Sequence, residues 1–172
     1  MPVTRLNHAV LYVRDAQASA TFYEEVLGFR RVGLAEGFDG AVFMQAPGST
    51  NDHDLGLFTV GEGAGPSTAG RQTVGLYHVA WEVDTLAELE RIAGVLSTHG
   101  ALVGASDHGT TKALYAHDPD GIEFEVSWLV PADRIDADVL EARARIEPLD
   151  IQAAKDRFGA ETRGGVGVSA PA

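Results

Sequence analysis

The sequence contains no cysteine. This absence excludes a thiol nucleophile, a thiolate metal site and a disulfide framework, and it is typical of proteins from a reducing compartment. No apolar run approaches the length of a membrane span, and the first stretch, MPVTRLNHAV, lacks the apolar core of a signal peptide. We therefore expect a soluble, cytoplasmic protein.

Basic residues are also few, since 13 Lys and Arg stand against 25 Asp and Glu and leave a net charge of −12 at pH 7. This excess of negative charge argues against nucleic acids and anionic membranes as partners. It does not exclude a small substrate, because a bound metal ion outweighs the distant field of the chain. The length of 172 residues suits one domain, or two small modules that share a core.

A strong local signal lies in residues 114–128, LYAHDPDGIEFEVSW. The segment Asp-Pro-Asp-Gly at 118–121 predicts a tight turn between two paired strands. After the turn, apolar and polar residues alternate, which places Glu123 and Glu125 on one face of a strand. Such a face is either open to solvent or holds something positively charged.

The chain also repeats itself. LNHAVLYV at 6–13 matches LYHVAWEV at 76–83 at an offset of 70 residues, which places His78 at the position of His8. Each copy is followed by a predicted helix and then by three predicted strands. A repeated unit that cannot bury its own sheet face must pair with its copy. We therefore predict an α+β fold of two tandem βαβββ modules, which form a curved, mixed-sheet half-barrel around a metal cleft.

These patterns set the expected boundaries of the domain. We place it at 4–128, made of two modules and a Gly-rich linker: 4–60, 61–75 and 76–128. The sequence character then changes, and we predict a C-terminal helical extension over 129–172 that ends in a loose tail.

Three residues form a candidate metal site. His8 and His78 occupy the same repeat position, and Glu125 lies on the last predicted strand. Two imidazoles and one carboxylate form the facial triad of non-haem Fe(II) sites, although the same donors also suit Zn²⁺, Mn²⁺ or Ni²⁺. A single strand histidine is more often a packed residue than a ligand, but the repeat argues against coincidence. Glu123 is the competing carboxylate, and Glu125 is preferred because it lies further from the turn.

The segments LNHAVLYV, FYEEVLGF, LYHVAWEV and YAHDPDGIEFE resemble the vicinal oxygen chelate superfamily. This superfamily includes glyoxalases, fosfomycin-resistance proteins, bleomycin-binding proteins and type I extradiol dioxygenases. The resemblance covers roughly Thr4 to Trp128, and its motifs are specific for the superfamily but not for a reaction.

The chain is similar to the extradiol dioxygenases at further positions. The resemblance implies that His53 is the acid–base catalyst and that His108 and Tyr115 donate hydrogen bonds to developing charge. Taken alone, His53 and His108 could be solvated loop residues, and Tyr115 could be a core residue. The remaining histidines, His99 and His117, are expected at the surface.

The implied function is Fe(II)-dependent ring cleavage of a catechol-type diol with O₂, with Mn²⁺ or another divalent ion as an alternative metal. The best-known members use four modules, so we expect this single pair to form a homodimer or a higher homo-oligomer. One alternative is a glyoxalase-like lyase or isomerase, or a thiol transferase; another is a metal-free small-molecule binding protein. Glyoxalases usually take a fourth ligand from the first module, where the repeat offset places Leu55 opposite Glu125.

Overall fold

The computed structural model describes residues 2–3, 5–33, 37 and 39–165. The predicted loose tail therefore lies largely outside the described residues. The chain divides into two compact units, of which the first comprises Met1–Gly75 and Asp118–Ile122 and the second Leu76–His117 and Glu123–Ala172.

The first unit contains one helix and a four-stranded sheet. Asp15 caps the helix by accepting the backbone N–H groups of Gln17 and Ala18, and Gly28 ends it in the left-handed conformation with φ 68°. The sheet order is β1-β4-β3-β2, in which β1 runs parallel to β4 and the other pairs are antiparallel. The elements are β1 Ala9–Val13, α1 Ala16–Leu27, β2 Arg30–Val32, β3 Ala41–Gln45 and β4 Leu55–Thr59.

The two faces of this first sheet differ. Leu11 and Val13 are buried, as are Leu55 and Leu57 beside them on β4, and together they form the core under α1. The alternate residues of β1, including Tyr12, are exposed. This alternation follows from the period of two along a strand.

The turn at Asp118–Ile122 belongs to the first unit, although its flanking strands belong to the second. Arg14 donates to Asp120 from its backbone N–H at 3.0 Å and from its guanidinium at 2.6 Å. The buried Tyr23 hydroxyl donates to Asp118 at 3.4 Å. Asp118 also accepts the backbone N–H groups of Asp120 and Ile122, which closes the turn.

The second unit repeats the βαβββ order and extends it. Its sheet has the order β5-β8-β7-β6, followed at the edge of β6 by the short strand β9 at Glu147–Pro148; β5 runs parallel to β8, and Thr85 caps the first helix. The predicted α+β class and the tandem modules are thus confirmed. The elements are β5 Val79–Val83, α2 Leu86–Thr98, β6 Leu102–Asp107, β7 Thr111–His117 and β8 Glu123–Leu129.

The predicted helical extension packs onto this second unit. It contains a 3₁₀ turn at Ala132–Arg134, α3 at Ala137–Ala142 and α4 at Ile151–Phe158, and the short strand β9 at Glu147–Pro148 pairs with the edge of β6. Phe158 is buried with its ring centroid 5.6 Å from that of Trp128. No helix in the described ranges is long and apolar enough to cross a bilayer.

Candidate functional site

The hairpin β7–β8 separates an apolar face from a polar one. Leu114, Phe124 and Val126 are buried on the face that packs against the helices. Glu123 and Glu125 share the opposite face, as their alternation predicted, and Tyr115 pairs directly with Glu125 across the hairpin. The ten-residue spacing between Tyr115 and Glu125 therefore corresponds to a cross-strand pair.

His78 lies between the two carboxylates of this polar face. Its Nε2 is 3.3 Å from Oε2 of Glu125, and its Nδ1 is 3.7 Å from Oε1 of Glu123. Glu125 is the less exposed carboxylate, with 13% of its side chain accessible against 20% for Glu123. Within the described part of the chain, His78 Nδ1 and Glu123 Oε1 are buried and have no hydrogen-bond partner. Buried polar atoms of this kind are costly unless a water or a cation satisfies them.

The donors around His78 fit a divalent ion. Metal bonds to imidazole nitrogen and carboxylate oxygen are about 2.0–2.2 Å long, so two adjacent ligands in an octahedral site stand about 3 Å apart. The distance between His78 and Glu125 matches this spacing. Among the described residues, however, no group of three or more His, Asp or Glu side chains forms a ready metal cluster. The third ligand therefore stays a prediction.

His108 and Tyr115 form a hydrogen-bonded pair beside this donor pair. His108 Nε2 lies 3.0 Å from the Tyr115 hydroxyl, and the rings of Tyr115 and His78 are 6.0 Å apart. Burial, followed by the charge of Glu125, raises the pKa of Tyr115 to about 12. The phenol therefore keeps its proton at neutral pH and can donate a hydrogen bond. The structure thus places four predicted site residues together in the second unit: His78, His108, Tyr115 and Glu125.

His8 and His53 lie together in the first unit. Their ring centroids are 4.6 Å apart at an interplanar angle of 41°, and the Phe43 ring meets His53 edge-on at 5.1 Å. His8 Nδ1 is 2.7 Å from the side-chain oxygen of Asn7. The backbone N–H of His53 donates to Asp52 and lowers the pKa of that carboxyl. An imidazole held on an aromatic edge has few orientations, as an acid–base catalyst requires.

The structure corrects the repeat alignment in the last strand of each module. Ala9 pairs with Leu55, whereas its repeat equivalent Val79 pairs with Phe124. The equivalent of Glu125 is therefore Gly56 and not Leu55, because the offset has fallen from 70 residues to 69. Gly56 has no side chain, so this position offers no fourth ligand of the glyoxalase kind.

The remaining details of the histidine positions can be compared with the sequence predictions one by one. His8 and His78 each precede their strand by one residue. His117 is 46% exposed, but its Nε2 is 3.8 Å from Glu123, so it faces a site carboxylate. His99 lies at the exposed end of α2, as expected.

Sequence reasoning missed Lys112, which ties the turn that carries His108. Its ammonium donates to Asp107 and to the carbonyl of Gly109. The sequence does contain a signal for its burial. Strand alternation places Lys112 on the same face as Leu114, and Lys112 pairs with Trp128 on the neighbouring strand. A charged residue at such a position needs a buried partner.

The described residues define an α+β protein built from a duplicated βαβββ unit. The family model of the Glyoxalase/Bleomycin resistance protein/Dioxygenase superfamily matches residues 5–126, and the chain belongs to this superfamily. Its members are mostly enzymes, and they bind divalent metals.

Individual relatives are more distant. The chain is 28% identical over 123 residues to a catechol-2,3-dioxygenase of Bacillus subtilis, which covers 72% of this chain but only 41% of that protein. A glyoxylase/bleomycin resistance protein/dioxygenase domain from Frankia sp. EAN1pec superposes with a TM-score of 0.61 at 22% identity, covering 73% of this chain and 92% of the other. A lactoylglutathione lyase from Agrobacterium tumefaciens gives 0.53 at 21%, covering 74% and 95%. The two structural likenesses concern the fold.

Proposed function

We propose that this protein is an Fe(II)-dependent extradiol dioxygenase that cleaves the ring of a catechol-type diol with O₂. The observation that carries the proposal is the donor pair of His78 and Glu125 beside the hydrogen-bonded pair of His108 and Tyr115. The sequence similarity to a catechol-2,3-dioxygenase supports the same reaction.

In this proposal His8, His78 and Glu125 hold the ion, with Mn²⁺ or another divalent metal as an alternative to iron. When bound, the ion supplies Lewis acidity and redox chemistry toward O₂. The protein's own groups then orient the diol and manage its protons.

His53 would take a proton from the diol and later return one, as a general acid–base catalyst does. The Phe43 ring packs against His53, with 5.1 Å between the ring centroids. Tyr115 and His108 donate hydrogen bonds to the oxygens on which negative charge develops. The Tyr115 hydroxyl lies 3.0 Å from His108 Nε2, so the two groups can act together on the bound diol.

The alternatives use the same fold with different chemistry. A lyase of the glyoxalase kind needs a further ligand, and Gly56 stands where the repeat would place it. A thiol transferase keeps the same three ligands and is separated only by substrate tests. A metal-free binding protein has no use for a half-buried imidazole between two carboxylates.

The test is ferrous loading without air, followed by a panel of catechols with different ring substituents. We expect one O₂ consumed per diol and a yellow ring-cleavage product. No O₂ uptake with any diol, combined with isomerisation of a thiol adduct by the loaded protein, would replace the dioxygenase proposal by the lyase proposal.

We further propose that the protein forms a homodimer, and sedimentation equilibrium measures this oligomeric state directly.

A further inference from the structure

His108 lies on the turn between β6 and β7, and a buried lysine ties that turn. Asp107 accepts the backbone N–H of Gly109 at 2.7 Å and the ammonium of Lys112. Lys112 also donates to the Gly109 carbonyl at 2.8 Å. Both residues that flank His108 are therefore held by one side chain.

Lys112 itself is held by the C-terminal extension. Lys112 is 3% exposed, and its ammonium lies 5.5 Å from the centre of the Phe158 ring on α4. Burial lowers the pKa of this ammonium. A buried charge is costly unless it is paired, so the contacts with Asp107 and Phe158 restrict where Lys112 can lie.

Helix α3 packs closely against the same turn, at Gly109. Gly109 has φ 72°, and a Cβ atom placed on it would lie 2.5 Å from the carbonyl oxygen of Val139 and 2.6 Å from the backbone nitrogen of Arg143. Only glycine allows this approach. The two helices are also tied to each other, because Arg157 on α4 donates to Asp136, the N-cap of α3, at 2.9 Å.

We propose that the C-terminal helices α3 and α4 position His108 in its hydrogen bond with Tyr115, acting through Gly109 and Lys112. Lys112 is thus a positioning residue, since it contacts the turn and not the proposed substrate. The catalytic consequence rests on the proposed function, whereas the structural consequence for His108 does not.

The test compares Lys112→Met with Lys155→Met, a change of the chain's other lysine. Lys155 lies on α4 and pairs with Glu90 of α2 at 2.8 Å, so its loss leaves the turn intact. The readouts are the ring-nitrogen NMR signals of His108, assigned with a His108→Ala variant, together with metal affinity, KM and kcat. We expect Lys112→Met to shift the His108 signals and to lower kcat about 10- to 100-fold, with KM and metal affinity unchanged. Lys155→Met should change none of them.

A second pair of variants keeps the test decisive if Lys112→Met does not fold. Asp107→Ala removes the shared acceptor at a half-exposed position and should shift the His108 signals in the same direction. Asp107→Asn retains an acceptor oxygen for Gly109 and should restore most of the wild-type signals. Unchanged His108 signals in a folded Lys112→Met or Asp107→Ala protein would overturn the positioning role.

The two proposals fail in different ways. Shifted His108 signals without turnover of any diol would leave the positioning role standing and remove the dioxygenase. Diol cleavage by the wild type, combined with unchanged His108 signals in a folded Lys112→Met protein, would remove the positioning role alone. Equal turnover in the two proteins despite shifted His108 signals would remove only its catalytic consequence.

Discussion

The two repeats share a backbone but carry opposite chemistry on equivalent rows of side chains. In each sheet the row crosses the first, last and third strands of the module at the same register. It consists of Val10, Gly56 and Phe43 in the first unit and of Ala80, Glu125 and Tyr115 in the second. The first row is apolar or without a side chain, and the second carries a carboxylate and a phenol.

This difference shows which parts of the repeat were free to diverge. Leu57 and Val126 lie on faces that pack against a helix and are fully buried, so they are constrained by the core. The opposite face carries different side chains in the two units, although the strands pair at the same register. The first unit contributes His8 and His53, whose rings lie together, with Phe43 beside His53. The second unit contributes the other ionisable residues of the candidate site.

The largest expected effect is on metal affinity, and it comes from removing the Glu125 carboxylate, which the equivalent row of the first unit lacks. Glu125→Gln should weaken metal binding more than about 100-fold, since loss of a ligand exceeds the 10- to 100-fold cost of losing an outer-shell partner. Calorimetric titration with Fe²⁺ or Mn²⁺ measures it.

Glu82→Gln is the matched control, because Glu82 is another carboxylate of the same sheet, and it should bind metal as wild type does. If Glu125→Gln retains the metal and Glu123→Gln loses it, then Glu123 is the ligand and the assignment is wrong.

The next effect concerns His53, the imidazole of the first unit that the proposal makes the acid–base catalyst. His53→Ala should lower turnover about 10²- to 10⁴-fold while the metal stays bound, because general acid–base catalysis has this magnitude. His99→Ala, at the exposed end of α2, is the control and should leave turnover unchanged. Loss of metal from His53→Ala would make His53 a ligand instead.

The smallest effect separates two tyrosines with different roles. Tyr23 is buried in the first unit against Asp118, whereas Tyr115 faces the candidate site of the second. Tyr23→Phe should cost about 1 kcal/mol of unfolding free energy at neutral pH, the usual net value of one hydrogen bond. Urea denaturation measures it, and an unchanged midpoint would show that the bond contributes nothing.

The same variant has a pH signature. Burial, followed by the charge of Asp118, raises the pKa of Tyr23 well above 10. A raised folded-state pKa contributes stability that is complete below pH 10 and is lost as the pH rises toward the folded value. Wild type should therefore lose stability above pH 10 more steeply than Tyr23→Phe does.

Local features of the fold were predictable from the sequence. Asp15 and Thr85 cap their helices, and Gly28 ends the first one. Such features can be predicted because each residue acts on backbone groups only a few positions away. The shared face of Glu123 and Glu125 followed from strand alternation for the same reason.

Long-range features were not predictable in the same way. A linear offset between repeats cannot show that one connecting segment is a residue shorter, so Gly56 was passed over for Leu55. The partners of Lys112 come from α4 and from the preceding turn, which no local pattern brings together. Strand β9 is only two residues long and exists because the edge of β6 offers it hydrogen bonds.

The turn at Asp118–Ile122 has a consequence for how the chain is made. The first unit needs this turn for the partners of Arg14 and Tyr23, yet the turn is synthesised more than forty residues after Gly75. During translation the partners of Arg14 and Tyr23 therefore emerge from the ribosome well after the first repeat itself. A gene fragment cut at the linker would encode a half that lacks one of its own parts.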